Sequence, residues 1–288
     1  MSEPVSIVIP AYNEAGAIGQ TLEEVGRVLA EAALDGEIIV VDDGSTDGTA
    51  EAVARYPTAR LIRHPHNRGY GAALKSGIRQ AQHEIIVIVD ADGTYPCAVI
   101  PTLAAEMGPY DMVVGARTGS DVHIPAIRRP AKWALTKLAN YLSGMHIPDL
   151  NSGLRAFKRD IALSFFRLLP SGFSFTTTIT LAMLTNDYNV LYLPVDYYPR
   201  VGSSKINPIR DTINFFSLVV RMVLSFRPLR IFVPLALLFL SLSTVKVLYD
   251  INAYSWHLAT STVVLLTLTF QIIMLGLIAD LVVSLHKQ

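Results

Sequence analysis

The chain has 288 residues, enough for one large domain or for one domain with an appendage. Lys and Arg together number 24, as do Asp and Glu, so the net charge of zero gives no electrostatic reason to expect a nucleic-acid partner. The single cysteine, Cys97, excludes an intrachain disulfide. The hydrophobic fraction of 51% is high for a soluble protein, and most of the excess lies after residue 205.

Short β-rich runs alternate with helical patterns in the first part of the chain, which is typical of a mostly parallel sheet covered by helices. The pattern predicts strands at 5–9, 37–41, 59–62, 84–89 and 111–115. It predicts helices between them at 15–33, 47–56, 70–81 and 98–107. Ligands of such sheets bind outside the carboxyl ends of the strands, so the polar segments that follow the strands indicate a site.

Two pairs of aspartates follow apolar runs. Asp42 and Asp43 come after "EIIVV", and Asp90 and Asp92 come after "EIIVIV". An ordinary turn, with a helix cap in the first segment, is the alternative interpretation. The one-residue gap between Asp90 and Asp92 allows both carboxylates to reach one hard divalent cation, or one of them to bind it through water. We therefore expect Mg²⁺ or Mn²⁺ together with the phosphates of a nucleotide.

Four segments in chain order, "VSIVIPAYNEAGAI", "IIVVDDGSTDGT", "HNRGYGAALKSGI" and "IVIVDADGTYP", resemble the family 2 glycosyltransferases with the GT-A fold. "PDLNSGLRAFKRD" and "YYPRVGSSKINPIRDT" resemble the subgroup that makes polyprenyl phosphate sugars, typified by dolichyl-phosphate mannose synthases and undecaprenyl-phosphate relatives. The resemblance covers nearly the whole chain. It implies an α/β fold with a Rossmann-like, mixed, mostly parallel sheet flanked by helices.

The resemblance also implies roles on the nucleotide side. It implies that Tyr12 stacks on or flanks the base, and that Val41 and Asp43 read the base and ribose. Asp90 and Asp92 match the metal and diphosphate motif, with Asp92 favoured as the direct ligand. The nucleotide-binding positions expected in total are Pro10, Tyr12, Glu14, Val41, Asp43, Asn67, Gly69 and Ala91.

The metal's third ligand stays open, because Gly93 and Thr94 stand where several relatives carry a polar ligand. Water or the Thr94 hydroxyl would replace that ligand. His64 and His66 lie close together in "RHPHNRGY", but we expect a loop with exposed imidazoles there rather than a metal site.

Basic residues are expected on the acceptor side. Arg117 matches a family position that faces the phosphates or the acceptor, and Arg200 begins a segment resembling the acceptor-binding loop. Arginine suits bidentate contact with a lipid phosphate. Solvated loop charges are the alternative for each single cation. The expected acceptor-phosphate residues are Arg128, Arg129, Arg200, Ser203, Ser204 and Lys205, with Arg155 as a further candidate cation.

Two apolar segments at 231–248 and 261–284 have about the 20 residues needed to span a bilayer. A buried hairpin of a soluble core is the alternative. Residues 206–228 show apolar spacing typical of an interfacial helix, although a core helix would fit as well. We thus expect a catalytic domain at 1–205, an interfacial helix at 206–228 and a transmembrane hairpin at 229–288. The connection between the spans lacks Lys and Arg, so the positive-inside rule predicts a cytoplasmic catalytic domain on a cell membrane.

The combined hypothesis is an inverting, metal-dependent transfer of a hexose from a UDP- or GDP-linked sugar to a polyprenyl phosphate. Asp90, Asp92, Arg117 and Arg200 are the expected catalytic residues. The expected partners are the nucleotide sugar, the lipid acceptor and the membrane, with no nucleic acid. A polysaccharide synthase of the same fold and a nonenzymatic nucleotide-binding membrane scaffold are the alternatives. The sugar, the base, the lipid and a homo-oligomeric state stay open.

Overall fold

The structure is a computed structural model that describes residues 3–120, 136–137, 140–141, 144–172, 174–199, 220, 224, 228–253 and 257–286. The chain forms two compact units. One consists of Met1–Lys137 and Met145–Leu218, and the other consists of Leu138–Gly144 and Val219–Gln288. Most of the expected interfacial helix at 206–228 lies outside the described residues, so that helix stays a prediction.

A seven-stranded sheet is the centre of the first unit, with the strand order β3-β2-β1-β4-β6-β5-β7. β6 is antiparallel to both of its neighbours, and the other pairings are parallel. The sheet is therefore mixed and mostly parallel. Its strands are β1 (Val5–Ala11), β2 (Gly36–Asp42), β3 (Ala59–Arg63), β4 (Ile85–Ile88), β5 (Met112–Ala116), β6 (Arg155–Lys158) and β7 (Val190–Pro194).

Helices cover this sheet because their apolar faces pack on it. Along α1, the buried residues Ile18, Leu22, Val25 and Val28 recur at helical spacing. α3 approaches β1 closely, since a Cβ at Gly77 would lie 2.3 Å from Val8 Cγ1. The helices of this unit are α1 (Ile18–Glu31), α2 (Thr49–Val53), α3 (Tyr70–Gln80), α4 (Ile100–Ala105), α5 (Arg159–Ser164) and α6 (Phe175–Thr185), with a 3₁₀ turn at Cys97–Val99.

β2, β1 and β4 are adjacent and parallel. Their carboxyl ends therefore meet at one edge of the sheet, and the segments that follow these strands come together there. These are the "PAYNE", "DDGSTD" and "DADG" segments. The fold thus assembles three of the expected site segments, which are far apart in the sequence.

The second unit contains two long helices, α7 (Leu229–Ala253) and α8 (Thr260–His286). Both are long and apolar enough to cross a membrane, with mean hydropathies of 2.2 and 2.3 over their most apolar stretches. Only 6% and 22% of those stretches are buried inside the structure, which is unlike a core hairpin. Polar contacts join the two helices: Ser243 Oγ lies 2.9 Å from Thr269 Oγ1, and the buried Asp250 carboxylate accepts hydrogen bonds from the Ala259 backbone and Thr262. Within α7, Asp250 also accepts a hydrogen bond from Lys246.

Candidate active site at the carboxyl edge of the sheet

Reciprocal hydrogen bonds join the segments that follow β1 and β2. The backbone N–H of Asn13 donates to Ser45 Oγ at 2.9 Å, and the N–H of Thr46 donates to Asn13 Oδ1 at 2.9 Å. The N–H of Glu14 donates to Thr49 Oγ1 at 3.0 Å. Asn13 adopts a φ of 55°, a left-handed conformation that asparagine tolerates better than most residues. These contacts fix the backbone that carries Tyr12 and Glu14.

Asp42 and Asp47 shape the turn after β2, as the turn interpretation expected for that segment. The buried Asp42 accepts a 2.9 Å hydrogen bond from the N–H of Ser45. Asp47 accepts hydrogen bonds from the N–H groups of Ala15 and Thr49, both at 3.1 Å. Burial alone would raise the pKa of Asp47, but the hydrogen bonds from Thr49 and Ala15 outweigh it and lower the pKa. Asp47 therefore ties the start of α2 to the segment after β1.

The carboxylates of Asp90 and Asp92 are each held in place after β4. The Tyr70 hydroxyl donates to Asp90 Oδ1 at 2.9 Å. Asp92 is 7% exposed, and its Oδ1 accepts hydrogen bonds from the N–H and the hydroxyl of Thr94 at 3.2 and 2.7 Å. Gly153 packs against Asp90, because a Cβ at this glycine would lie 2.3 Å from Asp90 Oδ2.

This donor set fits a magnesium or manganese ion bound jointly with a diphosphate. Mg²⁺ in proteins is usually held by one or two carboxylates together with substrate phosphates and waters. Among the described residues, no cluster of three or more His, Cys, Asp or Glu side chains forms a complete protein cage for a metal. Asp90 and Asp92 are thus the candidate ligands. The Thr94 hydroxyl, one candidate for the third ligand, is buried and hydrogen-bonded to Asp92.

Arg117 forms a buried ion pair with Asp149. Its Nε lies 2.7 Å from Asp149 Oδ2 and its Nη2 lies 2.9 Å from Oδ1, which is a bidentate contact. The guanidinium carbon lies 5.2 Å from the ring centroid of Tyr197. Burial disfavours the charge of Arg117, but its electrostatic interactions with Tyr95 and Asp149 and the Asp149 hydrogen bond raise its pKa above the ordinary value. Arg117 is therefore a fixed cation at the end of β5.

An open groove lies beside Arg117 at the same edge of the sheet. Its volume is about 610 Å³. It combines apolar side chains, hydroxyls and one carboxylate, lined by Pro96, Val99, Thr118, Gly119, Ser120, Pro194, Val195 and Asp196. The segments after β5 and β7 form two of its walls.

Residues 6–166 match the family described as glycosyl transferase family 2. This match extends over more than half of the chain. The chain belongs to glycosyl transferase family 2. Residues 227–285 also match the family described as the GtrB C-terminal hairpin, which includes α7 and α8. The expected family and its fold, a mixed and mostly parallel sheet with a C-terminal pair of apolar helices, are confirmed.

Individual relatives agree with this assignment. The chain is 31% identical over 208 residues to a dolichyl-phosphate hexose transferase of Haloferax volcanii, covering 72% of this chain and 88% of the relative. It is 27% identical over 216 residues to an undecaprenyl-phosphate mannosyltransferase of Micrococcus luteus, covering 70% of this chain and 87% of the relative. Glucosyl-3-phosphoglycerate synthase from Mycobacterium tuberculosis, solved with Mn²⁺ and uridine diphosphate, is similar in fold, with a TM-score of 0.58 at 21% identity over 77% of this chain and 79% of that chain.

The expectation of exposed imidazoles in the loop after β3 is wrong for His64. That side chain is 5% exposed, and its ring nitrogens lie 2.6 Å from Asp43 Oδ1 and 2.8 Å from Ser76 Oγ. His66 is exposed as expected. The error arose because the residues around His64 are mostly polar, whereas its burial depends on partners that follow β2 and lie on α3.

Arg155, a candidate acceptor cation, is also placed differently from the prediction. Its side chain is fully buried, and its guanidinium donates to the Ser152 carbonyl, the Thr176 carbonyl and Thr180 Oγ1. Burial lowers its pKa. Arg155 links β6 to α6 inside the protein, so the prediction that it contacts an acceptor is wrong.

The remaining expected residues differ in how far the structure describes them. Tyr12 and Glu14 are half-buried, Asn67 is exposed, and the side chains of Pro10, Val41 and Ala91 are buried at the ends of β1, β2 and β4. The acceptor-side predictions fall outside the described residues, namely Arg128, Arg129, Arg200, Ser203, Ser204 and Lys205. Asp149, Tyr70 and Gly153 support the site but were not expected as site residues. Their contacts join positions far apart in the sequence. Asp149 and Gly153 do lie in the "PDLNSG" segment that carries part of the resemblance.

Proposed function

We propose that this protein transfers a hexose from a nucleoside diphosphate sugar to a polyprenyl phosphate at a membrane surface. The observation that carries the proposal is the pair of held carboxylates, Asp90 and Asp92, in a chain that also carries two long apolar helices. The first feature suits a soluble nucleotide donor, and the second suits a lipid acceptor. The named activities of the Haloferax and Micrococcus relatives support the same reaction class.

The donor would bind at the carboxyl edge of β1, β2 and β4. The segment after β1 would place Tyr12 and Glu14 beside the nucleotide, and Asp90 and Asp92 would hold the metal. When bound, Mg²⁺ or Mn²⁺ supplies charge neutralisation for the leaving nucleoside diphosphate. Tyr70 and Thr94 orient the two carboxylates before the substrate arrives, which reduces reorganisation during the reaction.

The acceptor needs no general base in this proposal. The second pKa of a phosphate monoester is about 6, so the lipid phosphate is largely a dianion at neutral pH. One of its oxygens attacks the anomeric carbon as the bond from that carbon to the diphosphate breaks, and a single displacement inverts the anomeric centre. Arg117 would offer positive charge to the phosphates, because its contacts with Asp149 use Nε and Nη2, and the described residues place no acceptor on Nη1.

We further propose that α7 and α8 anchor the catalytic domain, residues 1–205, to a cell membrane with that domain in the cytoplasm. The connection between the two helices contains no Lys or Arg, whereas Arg230 lies near the start of α7 and Lys287 follows α8 in the sequence. The positive-inside rule favours this orientation. Arg128, Arg129, Arg200, Ser203, Ser204 and Lys205 remain the proposed contacts of the lipid phosphate.

The test supplies a panel of UDP- and GDP-linked sugars to membranes that contain the protein, with polyprenyl phosphate and Mn²⁺ or Mg²⁺. Mass spectrometry should detect one polyprenyl phosphate sugar, and chelation of the metal should abolish it. Asp92→Asn should remove most product, whereas Asp160→Asn should not, because Asp160 is exposed and its carboxylate lies 4.0 Å from Arg159. A polymer instead of a glycolipid would indicate the polysaccharide synthase. Equal product from Asp92→Asn would contradict the proposed site.

A further inference from the structure

His64 lies between two elements that border the expected nucleotide site. It follows β3, and its ring connects Asp43, after β2, with Ser76 on α3. A carboxylate only accepts hydrogen bonds, so Nδ1 of His64 carries the proton in the 2.6 Å contact with Asp43. The Ser76 hydroxyl satisfies Nε2 at 2.8 Å. Both ring nitrogens are thus engaged inside the protein.

Asp43 uses the same carboxylate to hold the backbone of the loop before α3. Its Oδ1 accepts a hydrogen bond from the N–H of Arg68 at 3.0 Å, and its Oδ2 accepts one from the N–H of Gly69 at 2.7 Å. Asp43 is 2% exposed. A buried carboxylate is costly unless donors surround it. The orientation of Asp43 therefore depends on three donors, which are the His64 ring and the N–H groups of Arg68 and Gly69.

The loop itself is packed against neighbouring backbone. Gly69 has a φ of 99°, and a Cβ there would lie 2.5 Å from the Ser171 carbonyl oxygen. A Cβ at Gly44 would lie 2.5 Å from the His66 carbonyl carbon. The loop is therefore closely packed at Gly69 and beside Gly44, while the N–H groups of Arg68 and Gly69 are held by Asp43. This loop carries Asn67 and Gly69, two of the expected nucleotide-binding residues.

We propose that His64 is a positioning residue for the nucleotide site, an inference that rests on the proposed function. It holds Asp43 in the orientation that grips the N–H groups of Arg68 and Gly69. The loop is then ordered before the donor binds. Without His64, ordering the loop becomes part of the cost of binding the nucleotide.

The loss should therefore appear in binding and in the donor KM, with kcat changed little. Removal of a hydrogen bond to a buried charged group predicts roughly a 10-fold weaker affinity for nucleotide, which corresponds to about 1.4 kcal/mol. A merely structural role for His64 would instead reduce stability and the amount of active protein, without a selective effect on KM.

The sharpest comparison is between His64→Asn and His64→Gln in the whole 288-residue chain. The amide nitrogen of asparagine reaches the place of Nδ1 and can donate to Asp43, whereas that of glutamine reaches the place of Nε2, toward Ser76. The two amides are similar in polarity, so both variants should fold. His66→Leu is the control, because His66 is exposed on the same loop. Calorimetry with UDP and with GDP in the presence of Mn²⁺ measures affinity, and initial rates with the donor that the wild type uses give KM and kcat.

We expect His64→Asn and His66→Leu to bind nucleotide within about 3-fold of the wild type, and His64→Gln to bind roughly 10-fold more weakly with a matching rise in KM. Equal affinities for the Asn and Gln variants, or a loss confined to thermal stability and kcat, would overturn the positioning role while leaving the proposed function intact. Failure of the wild type to bind either nucleotide would contradict the proposed function and this inference with it.

Discussion

The Tyr70 hydroxyl donates a 2.9 Å hydrogen bond to Asp90 Oδ1, which connects the first residue of α3 with the acidic segment after β4. Burial, together with the negative charge of Asp90, raises the pKa of Tyr70 well above its ordinary value. The hydroxyl therefore stays protonated, and remains a donor, at every pH at which the enzyme is expected to work. The same helix carries Ser76, the partner of His64.

Tyr70→Phe should lower activity by roughly 10-fold or more, because Asp90, a proposed metal ligand, loses a hydrogen bond that fixes its orientation. The half-saturating concentration of Mn²⁺ should rise as well. Initial rates across a series of Mn²⁺ concentrations measure both effects. Tyr56→Phe is the matched control: it removes a 2.8 Å hydrogen bond between an exposed tyrosine hydroxyl and Glu23, away from the site. If Tyr70→Phe had the same half-saturating Mn²⁺ concentration as the wild type, Asp90 would not need the Tyr70 hydrogen bond.

Gly153→Ala should inactivate the enzyme through a steric effect on Asp90. The added Cβ would lie 2.3 Å from Oδ2, so the carboxylate must move. Such overpacking typically costs about 1–3 kcal/mol of stability, but the displacement of a proposed metal ligand should reduce activity by roughly 100-fold or more. Gly108→Ala provides the control, since nothing lies within 4 Å of a Cβ at that position. Activity assays should be paired with thermal unfolding, and a variant with normal activity would show that Asp90 can shift without consequence.

The strands β1, β2 and β3 are the part of the fold that the sequence predicts best. The predicted strands at 5–9, 37–41 and 59–62 lie inside β1, β2 and β3, because apolar runs bounded by turn residues leave few other interpretations. β4 is shorter than its predicted run, and β5 is displaced from its prediction by one residue at each end. Helix ends were less accurate, as α1 begins at Ile18 and not at residue 15.

Elements that depend on distant contacts were not predicted. β6 has the sequence "RAFK", with a charge at each end, and it forms because it fits between β4 and β5. α6 contains many β-branched residues, which have modest helix propensity, yet it is buried along its whole length. Burial in the core overrides local preference there.

In the candidate site too, local patterns could be predicted and distant contacts could not. Asp90 and Asp92 could be identified as a candidate metal pair from their spacing after a strand. The partners of Asp90 and Arg117 could not, because Tyr70 precedes Asp90 by 20 residues and Asp149 follows Arg117 by 32 residues. Only the sheet order brings such positions together.

Asp149→Ala should destabilise the protein by about 3–5 kcal/mol, because it leaves the largely buried Arg117 without its counter-charge. Arg117→Met in the same chain should restore part of that loss, since the unpaired cation is then removed. Thermal unfolding of the detergent-solubilised single and double variants gives the coupling between the two positions. Additive losses of stability would mean that the bidentate contact contributes no net coupling.

Alkylation of Cys97 tests the packing between α1 and the 3₁₀ turn. Burial, followed by the negative charge of Glu24, raises the pKa of this thiol to about 12 from an ordinary value of 9.0. The reactive thiolate is therefore scarce in the native protein at pH 8, and its amount should keep rising up to about pH 12, whereas in the unfolded chain it should level off above pH 9. The same shift makes stability depend on pH. Between pH 9 and about pH 12 the native state keeps the Cys97 proton while the unfolded state releases it, so the Cys97 thiol lowers stability as the pH rises through this interval.

Iodoacetamide labelling followed by mass spectrometry of the intact protein measures the effect. Labelling at pH 8 should be slow in the native protein and rapid after unfolding in denaturant. Glu24→Gln should increase the native labelling rate, because it removes the negative charge that disfavours the thiolate, while Glu31→Gln should not, since Glu31 is exposed at the far end of α1. Equal rates in native and unfolded protein at pH 8 would mean that Cys97 is accessible, and that the contact between the Glu24 carboxylate and the Cys97 N–H at 3.1 Å does not persist in solution.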